Sequence, residues 1–231
     1  MNQLMLARDV HALPQQMQNR ETEKYLLLLN RRRGTFVRKR VFDIVVSAAL
    51  LIVLLPLMLV IALLVGLTSR GGVFFMQQRV KQNLELYHIL KFRTMRADLK
   101  NTLQLTTKND TRITPVGRWL RRLHLDELPQ LLNVLKGDMS LVGPRPEVPR
   151  YVKQYRDKWL ATLLVPCGIT CTSSLYFAYE SELMEKSEDA EACYLNEILP
   201  AKMEHNLRYL RDITLWRDIK ILLQTALSVF K

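Results

Sequence analysis

Three cysteines in 231 residues are too few for a disulfide framework, and their odd number leaves at least one thiol unpaired. Cys167 and Cys171 have no second pair of ligands nearby, which favours reduced thiols in a cytoplasmic compartment over a zinc site. Eight glycines and nine prolines are too sparse for a collagen-like chain or an all-β chain built on tight turns. No self-similar period marks a solenoid or a propeller. Acidic side chains are also scarce: 22 Asp and Glu against 34 Lys and Arg leave a net charge of +12. That excess suits a polyanionic partner, whether nucleic acid, an anionic bilayer surface or a phosphorylated substrate. A hydrophobic share of 48% excludes wholesale disorder, and the length holds one sizeable domain or two small ones.

What is present, and unusual for a soluble fold, is a run from Ile44 to Leu67 with no ionisable side chain. As a straight helix it reaches roughly 36 Å, enough to cross a hydrocarbon core of about 30 Å. It begins more than forty residues into the chain, is too long for a signal-peptide core, and lacks an Ala-x-Ala site behind it, so it is expected to stay attached. Pro56 near its centre removes a helical hydrogen bond and predicts a bend. Arg31, Arg32, Arg33, Arg38, Lys39 and Arg40 precede the run, and Arg70, Arg79, Lys81, Lys91, Arg93 and Arg96 follow it. The positive-inside rule then places both flanks in the cytoplasm. A helix that dips in, breaks at Pro56 and returns satisfies both; a kinked ordinary span is the alternative.

Residues 1–38 read as a basic arm or surface helix with one apolar patch, Tyr25 to Leu29; 39–70 as the membrane helix; 71–231 as a cytoplasmic domain. After Gly72, GVFFMQQRV and LELYHILKF predict a short hairpin, and Asp98 to Thr114 a polar loop. Arg118 to Leu135 has apolar residues at helical spacing, interrupted by Pro129. One helix is expected to end near Leu125 and another to start around Asp126, with Gly137 closing it. The Gly143-Pro144-Arg145-Pro146 segment is a stiff turn of the kind that holds ligands. Near the C-terminus, Ile213, Trp216, Ile219, Leu223, Leu227 and Phe230 form the apolar stripe of an amphipathic helix, expected to pack on the domain, with the bilayer interface as the alternative.

Asp126 and Glu127 are adjacent, so on a helix their side chains diverge by about 100 degrees and can do different jobs. Taken alone they read as helix-capping acids. Arg121 and Arg122 one turn upstream and Arg145 in the stiff turn change the balance, because cations around a carboxylate pair suit a phosphoryl group. One acid can then hold Mg²⁺ while the other attacks phosphorus. His88 and His124 stand alone and are given no role. Asp43 is read as structural, pairing with Arg40 or capping the membrane helix.

Five ordered blocks resemble the monotopic bacterial sugar transferases, also called polyprenol-phosphate phosphoglycosyl transferases. They are Lys39-Arg40-Val41-Phe42-Asp43, Gln77-Gln78-Arg79, Lys91-Phe92-Arg93-Thr94-Met95, Leu125-Asp126-Glu127-Leu128-Pro129-Gln130, and Asn133 to Lys136 running on through Gly137 to Pro146. The resemblance covers about residues 36 to 231. It implies an α+β, mostly helical, membrane-associated catalytic domain with one re-entrant, proline-broken helix, here at Pro56, and a short β-hairpin. It also implies transfer of a sugar 1-phosphate from a UDP-sugar to undecaprenyl phosphate, with release of UMP, at the cytoplasmic face of the bacterial inner membrane. Such a step begins the assembly of a surface glycan such as an exopolysaccharide, capsule or O-antigen. By the same resemblance Asp126 is the nucleophile that forms a phosphosugar intermediate, Glu127 helps hold Mg²⁺, and Arg121 and Arg145 bind phosphate. Lys91, Arg93 and Arg79 are further candidates for phosphate contact, a solvated basic edge being the alternative for the first two.

The chain departs from the family pattern at Lys81 and Leu84, where glycines are usual, and at Pro166 to Cys171 and the segment after it. These departures bear on the donor sugar, which the sequence does not name, and the oligomeric state is open, a homodimer included. A membrane-tethered basic module that binds nucleic acid or anionic lipid without catalysis is the rival reading. It explains the charge but not an acidic pair close to a stiff Gly-Pro-Arg-Pro turn, and no nucleic-acid-binding signature is present.

Overall fold

The computed structural model describes residues 6–69, 71–96, 110–177, 183–184, 187 and 189–228. Arg70, Phe230 and most of the expected 98–114 loop lie outside the described residues. The described part is mostly helical, with two small two-stranded sheets.

Helix α1 (Arg20–Asn30) starts at Asn19, whose side chain accepts from Thr22 N at 2.8 Å. Its Tyr25, Leu26 and Leu29 are buried in the main core together with Leu13 and Met17. The expected surface arm therefore contains a packed helix. Helix α2 (Arg33–Thr68) carries the apolar run and is the one described helix long and apolar enough to cross a membrane. It runs as one helix with Pro56 inside it. Leu50, Ile52, Val53, Leu59, Val60 and Leu63 are exposed along it. Two separate stretches of α2 are buried: Phe36, Lys39, Asp43 and Ser47 before Pro56, and Met58, Ile61 and Val65 after it. The second stretch packs with Phe92 and Leu120 in a small core of its own.

Strands β1 (Phe74–Val80) and β2 (Leu86–Phe92) form the expected antiparallel hairpin, with Phe75 opposite Lys91 and Arg79 opposite Tyr87. Its turn takes a left-handed backbone at Asn83 and Leu84 (φ 56° and 60°). Leu84 thus keeps a glycine-like geometry without being glycine. Lys81, the other departure, is buried and pairs with Asp138 at 2.9 Å.

Helices α3 (Pro115–Arg122) and α4 (Gln130–Lys136) replace the two helices predicted to meet at Leu125 and Asp126. The first stops three residues early because His124 adopts φ 53°, ψ 19°, and a 3₁₀ turn over Leu125–Glu127 fills the gap. Asp126 is therefore in a turn and not at a helix N-cap; that position belongs to Pro129. Gly137 closes α4 as predicted, in the left-handed region, with its N–H on the Asn133 and Val134 carbonyls.

Strand β3 (Ser140–Val142) runs parallel to β4 (Gly168–Thr170). Just past β3, the backbones at Gly143 and Gly168 touch: a Cβ on Gly168 would lie 2.1 Å from Gly143 N. No side chain fits there, which fixes the start of the Gly-Pro-Arg-Pro turn. Short helices α5 (Pro149–Val152), α6 (Thr172–Tyr176) and α7 (Ala190–Cys193) follow, then α8 (Leu199–Arg211) and α9 (Leu215–Ser228).

The predicted stripe is buried at Ile213, but within α9 the docked face is a different one. Asp218 and Ile221 are buried, while Trp216, Leu223 and Leu227 are exposed. The cause is an ion pair: Lys39 Nζ donates to Asp218 Oδ2 at 2.5 Å and Tyr209 Oη to Asp218 Oδ1 at 2.7 Å, all three being buried. Thr225 adds a 2.7 Å hydroxyl contact to Thr170. One turn up α2, Asp43 accepts from Leu141 N at 3.2 Å, and Arg40 donates to the Val134 and Leu135 carbonyls at the end of α4. Asp43 thus bonds to β3, and its charge also acts on Arg40.

Candidate active site

The hairpin and the turn after α3 meet through Asn133. Its side chain accepts from Leu90 N (3.0 Å) and donates to His88 O (2.9 Å), which lays β2 along α4. Lys91, the next residue on β2, then reaches Glu127, Nζ to Oε1 at 2.7 Å. From the opposite side Arg145 donates to both oxygens of Glu127, NH1 to Oε2 at 3.3 Å and NH2 to Oε1, and NH1 also reaches Ile169 O at 3.1 Å. Glu127 is thus held between a strand lysine and a turn arginine.

Asp126 is buried, at 7% exposure, and among the described residues only neighbouring charges, no hydrogen bond, act on its carboxylate. Burial pushes its pKa up, opposed by the Lys91 charge and reinforced by Glu127 beside it. Glu127 goes the other way: burial alone would raise it, but Arg145 and Lys91 hold it well below the usual carboxylate range. Burial draws Lys91 and Arg121 down, opposed chiefly by Glu127 for the lysine and by Asp126 for the arginine. Two adjacent acids pushed in opposite directions are set up for different roles.

The predicted site residues do not all converge. Asp126, Glu127, Lys91 and Arg145 do, and Arg121 sits close enough for its charge to act on Asp126 and Glu127. Its Nε donates to Thr94 Oγ1 at 2.8 Å. Arg79 is turned to the scaffold, donating to Pro146 O at 3.1 Å and to Gln77, with Glu147 at 3.8 Å. Arg93 donates to the Gly72 and Phe74 carbonyls, tying the exit of α2 to β1. Pro56 lies within α2, outside this cluster.

Sequence reasoning gave no role to Asn133, Thr94 or Glu147. Glu147 accepts from Tyr194 Oη at 2.6 Å and its carbonyl accepts from Val80 N at 3.0 Å, which anchors the far end of the Arg145 turn. All three lie inside or beside the quoted blocks, and that position was the available signal. Cys167 is buried, and burial pushes its thiol up to about 12.

Among the described residues no group of three His, Cys, Asp or Glu forms a metal cage. Mg²⁺ commonly needs only one or two carboxylates, completing its shell with water and substrate phosphate. Both Glu127 oxygens already accept from Lys91 or Arg145, so a Mg²⁺ ion at this acid would share them with those two cations.

Residues 34–231 match the bacterial sugar transferase family. The chain is 36% identical over 197 residues to an undecaprenyl-phosphate glucose phosphotransferase of Komagataeibacter xylinus, covering 82% of this chain and 35% of that protein. It is 38% identical over 199 residues to a UDP-glucose:undecaprenyl-phosphate glucose-1-phosphate transferase of Klebsiella pneumoniae, covering 84% and 40%. To an undecaprenyl-phosphate galactose phosphotransferase of Salmonella typhimurium it is 37% identical over 219 residues, covering 87% and 42%. The chain thus spans less than half the length of each of these three relatives. The match takes in α2, the hairpin, the Asp126–Glu127 turn and the Arg145 turn together, and on that ground the chain belongs to the bacterial sugar transferase family.

Proposed function

We propose that the protein is a phosphoglycosyl transferase that moves a sugar 1-phosphate from a UDP-sugar to undecaprenyl phosphate and releases UMP. The observation that carries this reading is the buried Asp126 carboxylate, free of hydrogen bonds among the described residues, beside a Glu127 clamped by Lys91 and Arg145. A desolvated carboxylate whose oxygens are not engaged is a usable nucleophile, and the cations around it offset the charge of an incoming diphosphate.

In the first half-reaction Asp126 Oδ attacks the sugar-proximal phosphorus. The bond from that phosphorus to the bridging oxygen breaks, and UMP leaves with the electron pair. Arg121, Arg145 and Lys91 neutralise the phosphoryl oxygens. In the second, a phosphate oxygen of undecaprenyl phosphate attacks the same phosphorus, and the Asp126 carboxylate departs unchanged. Neither step needs a proton donor. Glu127 would hold Mg²⁺, which when bound supplies further positive charge to the phosphates.

The setting of this reading is the cytoplasmic face of the bacterial inner membrane, with α2 entering and leaving on that side. It is supported by the packing of α2 on both sides of Pro56 against one domain: Phe36 to Ser47 on the main body, Met58 to Val65 on Phe92 and Leu120. The polar domain has to lie on one side of a bilayer, and a straight span would carry one of these stretches away from it. The bend then occurs within a continuous helix at Pro56. Exposed Trp216, Leu223 and Leu227 on α9 suit the interface beside it. Single cysteines near residues 36 and 72 should both resist an impermeant reagent in intact cells; labelling of either from outside overturns this topology.

For the chemistry, enzyme plus UDP-sugar without acceptor should release about one UMP per active site and retain the sugar phosphate covalently. Asp126→Asn should abolish both. Near-normal turnover by Asp126→Asn would remove Asp126 as nucleophile even with the overall reaction intact.

A further inference from the structure

The arginines near the acidic pair are committed to different degrees. Arg145 donates to Glu127 and Ile169, Arg79 to Pro146 and Gln77, and Arg93 to Gly72 and Phe74. Arg121 makes a single hydrogen bond among the described residues, from Nε to Thr94 Oγ1 at 2.8 Å, so its two terminal nitrogens are uncommitted. A guanidinium held at Nε has its plane fixed, with the NH1 and NH2 edge presented outward for bidentate pairing with a phosphate.

Thr94 is in turn immobilised. It is 6% exposed, and its carbonyl accepts from Thr114 N at 3.0 Å and Thr114 Oγ1 at 3.3 Å. Thr114 caps α3 by accepting from Gly117 N at 2.9 Å. Gly117 is required for this approach, since a Cβ there would lie 2.1 Å from Thr94 O. The first turn of α3 is therefore seated on the Thr94 backbone, while Arg121 in its last turn reaches back to the Thr94 hydroxyl. Three residues earlier on the same segment, Lys91 holds Glu127. One stretch of chain thus orients cations on both acids.

We infer that Thr94 is a positioning residue for the transfer: its hydroxyl fixes the Arg121 guanidinium so that NH1 and NH2 face the donor diphosphate beside Asp126. This rests on the reaction proposed above, and it assigns Thr94 no contact with substrate.

Thr94→Val removes the acceptor and keeps both carbonyl hydrogen bonds; Thr94→Ser keeps the hydroxyl. Thr94→Val should lower kcat/KM for the UDP-sugar about tenfold, the scale of one hydrogen bond to a charged group, and Thr94→Ser should stay within about twofold of wild type. In an Arg121→Ala background Thr94→Val should cost nothing further, because the two act through one contact. Calorimetric titration with inorganic pyrophosphate should follow the same order without turnover. Should Thr94→Val fail to fold, Thr94→Ala carries the same expectations. Equal activity of Thr94→Val and wild type, failure of Ser to rescue, or additivity with Arg121→Ala overturns the inference. If wild type turns over no UDP-sugar, the reaction proposal fails on its own and the pyrophosphate series alone decides Thr94. If Arg121→Ala binds pyrophosphate as wild type does, Arg121 is not a phosphate ligand and the inference falls with it.

Discussion

Replacing Glu127 by Gln keeps the shape of the side chain and removes the charge that Lys91 and Arg145 share. Lys91 Nζ loses an anion at 2.7 Å, and Arg145 loses the charged acceptor for two of its nitrogens. The side chains of Glu127, Lys91 and Arg145 are 11%, 19% and 35% exposed, so the cluster lies between a buried pair and a surface one. Stripping a partner from a fully buried pair costs about 3 to 5 kcal/mol, whereas an exposed pair contributes less than about 1 kcal/mol. Water at Arg145 discounts the first figure, which places the loss at roughly 2 to 3 kcal/mol. In a chain of this length that is about 4 to 12 °C in Tm. Because the cost arises from unpaired cations, an added anion should offset it: saturating inorganic pyrophosphate should restore more of the Tm in Glu127→Gln than it adds to wild type. Thermal unfolding in nanodiscs with a chelator present measures both. A variant melting within about 1 °C of wild type, or gaining no more than wild type from pyrophosphate, would refute the argument.

On the proposed mechanism Asp126 attacks as the ionised carboxylate, and burial with the neighbouring Glu127 charge raises its pKa, so the acid limb of the kcat profile should lie above the ordinary carboxylate range and move down in Glu127→Gln. An acid limb that stays put in the variant would contradict the coupling. The same raised pKa makes ionised Asp126 a cost to the fold: its stabilising contribution is present below the ordinary carboxylate pKa and is lost as pH rises through the folded value. Asp126→Asn, which the proposed mechanism makes inactive, should therefore melt above wild type at neutral pH, and a lower Tm would argue against the burial account. Asp218→Leu strands the buried Lys39 and should cost about 3 to 5 kcal/mol in denaturant unfolding, most of it recovered by adding Lys39→Met. A double variant as unstable as the single one would show that the buried charge is not the cause.

Features set by neighbours in the chain were legible in the sequence. The hairpin, the Gly137 cap and the apolar run each follow from a few adjacent residues, and the structure has all three. Arg145 meets Glu127 of the acidic pair, and the stiff turn that carries it is a local feature of the sequence. The environment of Asp126 was not legible: a left-handed His124 ends α3 early, and nothing in the side chain of histidine announces it. Nor were the functions of the basic residues, since charge shows in sequence while direction depends on register. Lys91 faces Glu127 because Asn133 bonds the residue before it, whereas Arg79 and Arg93 spend their guanidinium groups on backbone carbonyls. The α9 stripe misled for the same reason. Hydrophobic spacing chose Trp216, Leu223 and Leu227, but a distant lysine drew Asp218 inward and turned the helix.

The Lys39–Asp218 pair also sets an order of events during synthesis. The two residues are 179 positions apart, so at about 5 to 20 residues per second Asp218 is made roughly 9 to 36 s after Lys39. For most of that interval the apolar stretch, finished at Leu67, is already complete while Lys39 has only Asp43, one turn on, as a neighbouring acid. Lipid insertion can therefore precede closure of the catalytic body, and α9 arrives as the latch that withdraws Lys39 from solvent. A nascent chain stalled before residue 218 should hold its membrane segment in the bilayer while the base of that segment remains open to proteases.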